Sequence, residues 1–251
     1  MRRLHIIAAA CLWAAAATSH AAFVVTYEAP GLTNTTSTFD YVGVETFDAR
    51  GTGVKSFTTT FGTSGKPTVI TGQYNHVQIN KADVYGGAAN SNYAVAFGNT
   101  PYDVKLSAVD SASGNALPVT YFGYWLSALD AGNRVKFYRG DDEVFNFDPS
   151  NVLALTGNCP GAYCGHPQAP YQNGNAGEPY VFLNFYDKSG LGFDKISFFE
   201  HPAGGGYESD NHTVGFYTSI TGQVVSVPEP SSVALFGLAL AGLAATRRRA
   251  G

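Results

Sequence analysis

The chain has 251 residues, with 15 Lys and Arg against 19 Asp and Glu and a formal net charge of −4. Residues 22–226 hold 10 of the basic and 18 of the acidic residues, a net −8, so this body lacks the basic face that nucleic acid demands and that partner is excluded. Its 205 residues suit one domain better than two, and 29 glycines with 15 tyrosines and 17 phenylalanines in the whole chain describe a β-rich protein with many turns.

The chain begins as a secretory leader. Met1, Arg2 and Arg3 form a short cationic start, residues 4–17 are apolar apart from His5, and Ser19, His20 and Ala21 put small residues where signal peptidase reads. The expected signal peptide is 1–21, cut between Ala21 and Ala22. A lipoprotein box around Ala8 to Cys11 falls inside the apolar run, and Arg2-Arg3 lacks a twin-arginine context, so ordinary secretion into an oxidising compartment is the reading.

From residue 22 onward, short apolar or alternating runs recur between turn residues: 23–27, 41–47, 54–61, 76–80, 93–97, 104–109, 119–126, 134–138, 143–147, 180–186, 193–199 and 214–220. Their lengths fit strands. No apolar 3.6-residue pattern of useful length interrupts them, which predicts helix only at the two ends of the chain. A dozen such strands without an internal repeat predict an all-β fold, an antiparallel β-sandwich of jelly-roll type spanning 22–226.

Within the body, 121–128 places Tyr121, Gly123, Trp125 and Ser127 on one strand face and Phe122, Tyr124, Leu126 and Ala128 on the other. Aromatics so placed are core, or a platform on which a sugar ring stacks; Tyr121, Tyr124 and Trp125 are the candidate carbohydrate contacts. Asp130, Ala131, Gly132 and Asn133 then read as a tight turn. Further on, Cys159 and Cys164 are an even pair once Cys11 leaves with the leader, and predict a disulfide over a short loop within a long Gly/Pro/Asn-rich excursion, 155–177. The rival reading, a metal site with His166, has three ligands at no standard zinc spacing. Asp194, Asp210 and Asn211 offer the oxygen ligands calcium prefers and form a candidate structural calcium site; no other cofactor is expected.

Catalytic motifs are lacking: there is no Gly-x-Ser-x-Gly elbow and no His-Glu-x-x-His, and His76, His166, His201 and His212 stand in unrelated contexts. The expectation is therefore not an enzyme. A pair of carboxylates converging for glycoside hydrolysis is a matter of folding that no spacing reveals.

The end of the chain carries an address. Val227, Pro228, Glu229 and Pro230 form a rigid stop, an apolar stretch follows with a helix expected at about 232–246, and Arg247, Arg248 and Arg249 make a cytoplasmic charge cluster. The strictly apolar part, 233–245, is short against the roughly 20 residues a spanning helix usually needs. The alternative, a buried C-terminal core helix, is opposed by the three terminal arginines.

In that order, behind a signal peptide, Val227 to Pro230, the apolar helix and the Arg cluster resemble the PEP-CTERM sorting signal of bacterial exosortase substrates, a tail that is also labelled an ice-binding-protein C-terminal domain. The resemblance covers about a tenth of the chain, residues 227–251. It implies a single-pass membrane precursor that is exported, processed near Pro228-Glu229-Pro230 by exosortase, and displayed at the cell surface or in the extracellular polysaccharide. Three body segments also resemble exosortase-dependent surface proteins: Ala82 to Ala88 leading into Tyr93 to Val95, Tyr121 to Asn133 preceding Val135 to Tyr138, and Phe193 to Ile196 before Glu208 to Asn211. They imply a β-sandwich surface protein and bring no catalytic residues.

Two function classes follow. The first is a non-enzymatic surface or matrix protein contacting extracellular polysaccharide. The alternative is a carbohydrate-active enzyme displayed by the same tail, which a cleft with two carboxylates below exposed aromatics would favour. Ice binding needs a flat Thr-rich face, for which Thr58 to Thr60 with Asn34 to Thr36 is too little.

Overall fold

The computed structural model describes residues 23–62, 67–202 and 204–226. The signal peptide with its cleavage point at Ala21 and Ala22, the Val227-Pro228-Glu229-Pro230 motif, the 232–246 helix and Arg247, Arg248 and Arg249 lie outside the described residues. Among the described residues no helix is long and apolar enough to cross a membrane.

Residues Phe23–Val227 form one compact unit. Its strands are β1 (Phe23–Tyr27), β2 (Phe39–Glu45), β3 (Gly53–Phe61), β4 (Thr68–Asn80), β5 (Tyr93–Phe97), β6 (Tyr102–Asp110), β7 (Tyr121–Ser127), β8 (Asn133–Arg139), β9 (Asp142–Phe147), β10 (Val181–Asp187), β11 (Lys195–Glu200), β12 (Gly206–Tyr217) and β13 (Gln223–Val225). The expected all-β, antiparallel class is the one adopted. Its layers are arms of one curled sheet, in the order β13-β1-β10-β7-β12-β5-β4-β6-β11-β8-β9, with β2 on β12 and β3 on β4.

Two long strands let a single sheet turn back on itself. β4 pairs with β6 up to Asn75 and with β5 from Gln78; β12 pairs with β5 up to Ser209 and with β2 from His212. Between these partners lie His76 (φ 55°) and Asn211 (φ 49°), both left-handed, and the register slips against β3 and β7 at the same places. Such bulges bend a strand and sharpen its twist. At Gly43 of β2 any Cβ would strike the backbone of Phe61 and Gly62, so the strand can cross there only as glycine.

The curl brings the arms face to face over an aromatic core. Phe23 of β1 stacks on Phe145 of β9 at 4.4 Å, Phe185 of β10 meets Phe137 of β8 at 5.0 Å, and Tyr124 of β7 meets Phe198 of β11 at 5.3 Å. Fully burying each such ring contributes about 1.5–3 kcal/mol.

β7 and β10 are buried on both faces. The core covers one; loops 82–92 and 157–180 cover the other, clamped by Tyr180 Oη donating to Val84 O, Tyr171 Oη donating to Ala82 O at 2.9 Å and His166 Nε2 against Gly87 O at 2.9 Å. One helix departs from the expectation of helix only at the chain ends: α1 (Ser150–Thr156), entered where Asp148 Oδ1 accepts from Ser150 N–H. At seven residues it is too short to show a period in sequence.

The strands also set the polarity of the unit. β1 and β13 are antiparallel neighbours with Val25 opposite Val225, so the chain enters at Phe23 and leaves after Val225 at one end. Phe23 sits opposite Asp187 and Tyr186 opposite Tyr121, which puts the start of β7 at that end as well. β7 then runs away from that end for about 20 Å over its seven residues, and the β7–β8 connection lies at its far end.

Candidate functional site

The aromatic platform is not a platform. Tyr121, Tyr124 and Trp125 are 0%, 0% and 1% exposed. Tyr124 faces the core, Tyr121 donates to Asn184 Oδ1 at 2.7 Å, and Trp125 lies beneath the loops, stacked on Tyr180 at 5.9 Å. No sugar ring reaches them; what buries Trp125 is loop chain distant in sequence.

Asp194, Asp210 and Asn211 likewise do not assemble. Asp194 ties down the β8–β9 hairpin, both carboxylate oxygens accepting from Gly140 N–H at 3.0 and 2.9 Å. Asp210 and Asn211 are the β12 bend: Asp210 accepts from Ala88 N–H, Ser91 Oγ and Asn211 N–H, and Asn211 Nδ2 donates to Thr33 O. Their oxygens hold backbone in two different places, which corrects the calcium assignment to these residues. Among the described residues no group of three or more His, Cys, Asp or Glu could hold a metal. Cys159 and Cys164 are joined as a disulfide, Cα atoms 5.6 Å apart, and His166 is spent on the loop clamp.

The fold also assembles a Ser–His arrangement. His212 Nε2 lies 3.0 Å from Ser209 Oγ, its Nδ1 3.1 Å from Tyr74 Oη, and Ser209 Oγ is 2.8 Å from Tyr102 Oη. All four side chains are buried, and His212 stacks on Phe198 at 5.1 Å. Burial pushes the imidazole down to about 3, so it is neutral at ordinary pH. A nucleophile needs a substrate at its oxygen; here hydroxyls and rings occupy every approach, and the cluster is polar core.

The open chemistry is at the far end, where Asp130 to Asn133 turn from β7 to β8, Asn133 N–H donating to Asp130 O at 3.3 Å. That turn faces the segment after β11. A cavity of about 270 Å³ lies between them, lined by Asp130, Gly132, Glu200, Pro202, Gly204 and Gly205. Glu200 Oε2 accepts from Gly205 N–H at 3.2 Å. Its Oε1 and Asp130 Oδ2 each lie 3.4 Å from the point where a Cβ on Gly205 would sit, so the absence of a side chain there keeps the cavity open.

Burial first, then the charge of Glu200, raises the Asp130 carboxyl above its ordinary range. Within reach of the Asp130 charge, Glu208 is pushed up to about 8 by burial and then by Asp130, Asp83 and Glu200, and Glu178 is raised by burial and then by Asp130. Beside Glu208, the exposed ring of Phe97 comes within 3.3 Å of the Cβ position of Gly206, and Tyr85 stands out to solvent nearby on the Asp83 loop. The turn is legible in sequence; its partners Glu200 and Glu208 are not, because only strand register brings them across about seventy residues. The run Gly204-Gly205-Gly206 after an acidic strand end was the one available signal.

Residues 226–249 match the family model of the PEP-CTERM protein-sorting motif. No curated protein and no solved structure matches the chain. The motif makes this an exosortase-targeted, exported protein destined for surface display.

Proposed function

We propose that this exosortase-targeted chain is a non-enzymatic surface or matrix protein whose body contacts extracellular polysaccharide with the end that carries the β7–β8 turn. The observation that carries the reading is the pairing of β1 with β13: β1 starts and β13 finishes at one end of the unit, and the acidic cavity with the exposed Phe97 lies at the other. Exposed rings next to unpaired carboxylates suit the apolar faces and hydroxyl donors of sugars. In this reading signal peptidase releases the leader at Ala21, the 232–246 helix holds a single-pass precursor, and exosortase cuts beside Val227 to Pro230.

Two experiments test it. Replacing Arg247, Arg248 and Arg249 with Ser should leave unprocessed or mis-sorted protein, read by intact mass of the extracellular fraction; unchanged processing sinks the sorting arm. Retention of the secreted protein on its host's matrix polysaccharide should fall severalfold in F97A and Y85A, and equal retention sinks the contact arm.

One observation favours the displayed enzyme: Asp130 and Glu200 are two carboxylates in one cavity. Size decides against it, since about 270 Å³ is below the roughly 300–1,000 Å³ of ordinary ligand sites and a polymer needs an open cleft. Release of reducing ends from the matrix polysaccharide by the protein, lost in E200Q, would reverse that decision.

A further inference from the structure

Lys105 of β6 and Lys195 of β11 are cross-strand partners, and Tyr138 of β8 is the next partner beyond Lys195. Their chain neighbours Val104, Leu106, Ile196 and Phe198 turn into the core at no more than 6% exposure, so by alternation the two ammonium groups share the opposite, solvent-facing side of the sheet. Like charges directly opposite each other destabilise a sheet, and nothing offsets these two. The four ion pairs among the described residues use Arg50, Arg134, Lys136 and Arg139 and leave both lysines out. The carboxylates closest along the strands are engaged elsewhere: Asp103 accepts from Ser197 Oγ, Glu143 pairs with Lys136 at 2.8 Å, and both Asp194 oxygens accept from Gly140 N–H.

The surroundings suit an extended anionic ligand. Lys195 Nζ is held 4.0 Å over the Tyr138 ring, a cation–π contact that keeps its ammonium on the sheet surface. Register continues the row on both sides, with Thr58, Gln73, Lys105, Lys195, Tyr138 and Glu143 opposite one another in turn. That polar row crosses six strands, about 24 Å at the usual strand spacing. Beside it, Leu106 and Asp194 line a cavity of about 350 Å³ together with Ser107 and Arg139, within the range of ordinary ligand sites.

We propose that this face binds an acidic polysaccharide, with a sugar carboxylate bridging Lys105 and Lys195 and a sugar ring packed against Tyr138. A carboxylate between the two ammonium groups turns a repulsive pair into two charge-assisted hydrogen bonds, and the row of hydroxyl and amide side chains meets the hydroxyls on either side. Two free cations match the separated carboxylates of a uronic-acid polymer; the dense phosphates of nucleic acid need a wider basic face. Carboxylated units thus meet the lysines, while neutral units suit the acidic far end. The inference rests on the polysaccharide reading for its class of partner and adds a second contact, on another face.

The test is retention of the exported protein on immobilised polygalacturonate, with dextran as the neutral control and double-stranded DNA as a soluble competitor. The expected result is retention on polygalacturonate alone, lost between about 0.1 M and about 1 M salt as the screening length falls from about 10 Å to about 3 Å. K105E should bind about tenfold more weakly and yet be at least as stable in chemical denaturation, because the new carboxylate faces Lys195. Equal retention of K105E, equal retention on dextran, stronger competition by DNA than by free polygalacturonate, or a destabilised K105E would overturn the assignment. F97A should bind polygalacturonate in full. Failure of the far-end contact therefore leaves this result standing, and absence of polygalacturonate binding leaves that contact standing.

Discussion

The Ser209–His212 cluster and the Asp130–Glu200 cavity are both gatherings of reactive side chains, and they differ in one respect. In the first, every polar atom finds a partner inside the protein: His212 bonds Ser209 and Tyr74, and Ser209 bonds Tyr102. In the second, the Asp130 carboxylate and one Glu200 oxygen face a void, with valences to spare. Residue type does not separate polar core from site; unfilled hydrogen-bonding capacity with access does.

That contrast is broken most severely from the core side. Tyr124→Ala removes a ring packed on Phe185 and Phe198 and strands the Tyr207 hydroxyl. The expected loss is about 3–5 kcal/mol in chemical denaturation, with polysaccharide binding by the remaining folded fraction unchanged. A smaller stability loss with altered binding would mean that the core and the far end are not separate.

pH pulls the two regions in opposite directions. Below the ordinary 6.5 an unfolded chain takes up a proton at His212 that the folded chain refuses until about 3, so stability is lost on acidification through that window. Glu208 does the reverse. Unfolded, it ionises near 4.5; folded, it holds its proton to about 8, so stability is lost as pH rises between those values. Asp210, raised by burial, adds to the alkaline loss. Above about pH 6.5 the His212 gain is complete and only losses remain, so the thermal midpoint should fall as pH rises from about 6.5 to about 8, and E208Q should make that fall shallower. An unchanged fall would place the alkaline sensitivity elsewhere.

How much of this was legible follows from the range of each signal. Twelve runs of alternating or apolar residues marked strands because period-two patterning is local. β13, three residues long, carries no pattern, and the N-terminal half of β4 and of β12 were lost because Gly72 and the Asp210-Asn211 bend break the apolar alternation. The single curled sheet was hidden for the same reason: it depends on left-handed conformations at His76 and Asn211, which histidine and asparagine tolerate but do not demand. For Trp125 the sequence left core and platform both open, because its cover, Ala88 and Tyr180, is contributed by segments 37 and 55 residues away in the chain.

The disulfide tests that cover. Joining Cys159 and Cys164 closes a loop of sequence separation 5, for which the chain-entropy relation gives about 2 kcal/mol. Beyond that global term, the bridge braces the 157–180 loop over the outer face of β7. Within residues 23–226 Trp125 is the only tryptophan, so in protein made without residues 1–22 its emission reports the cover alone. C159S/C164S should lower stability by about this amount and shift the Trp125 emission to the red; an unshifted spectrum would mean that Tyr180 and His166 hold the loop without the bridge.

The smallest effect is the sharpest discriminator. Asp130 is half-buried, bonded to no described donor through its side chain and raised by burial and by Glu200, so its ionised form adds repulsion to the far end and no compensating bond. Asp130→Asn keeps the shape, removes that repulsion and should change stability at neutral pH by no more than about 0.5 kcal/mol, in the stabilising direction. A residue that serves the fold would show the opposite sign on substitution, as Asp210 should when its bonds to Ala88, Ser91 and Asn211 are lost. A neutral or stabilising D130N beside a destabilising D210N in the same denaturation series therefore assigns the first carboxylate to a site and the second to the bend of a strand.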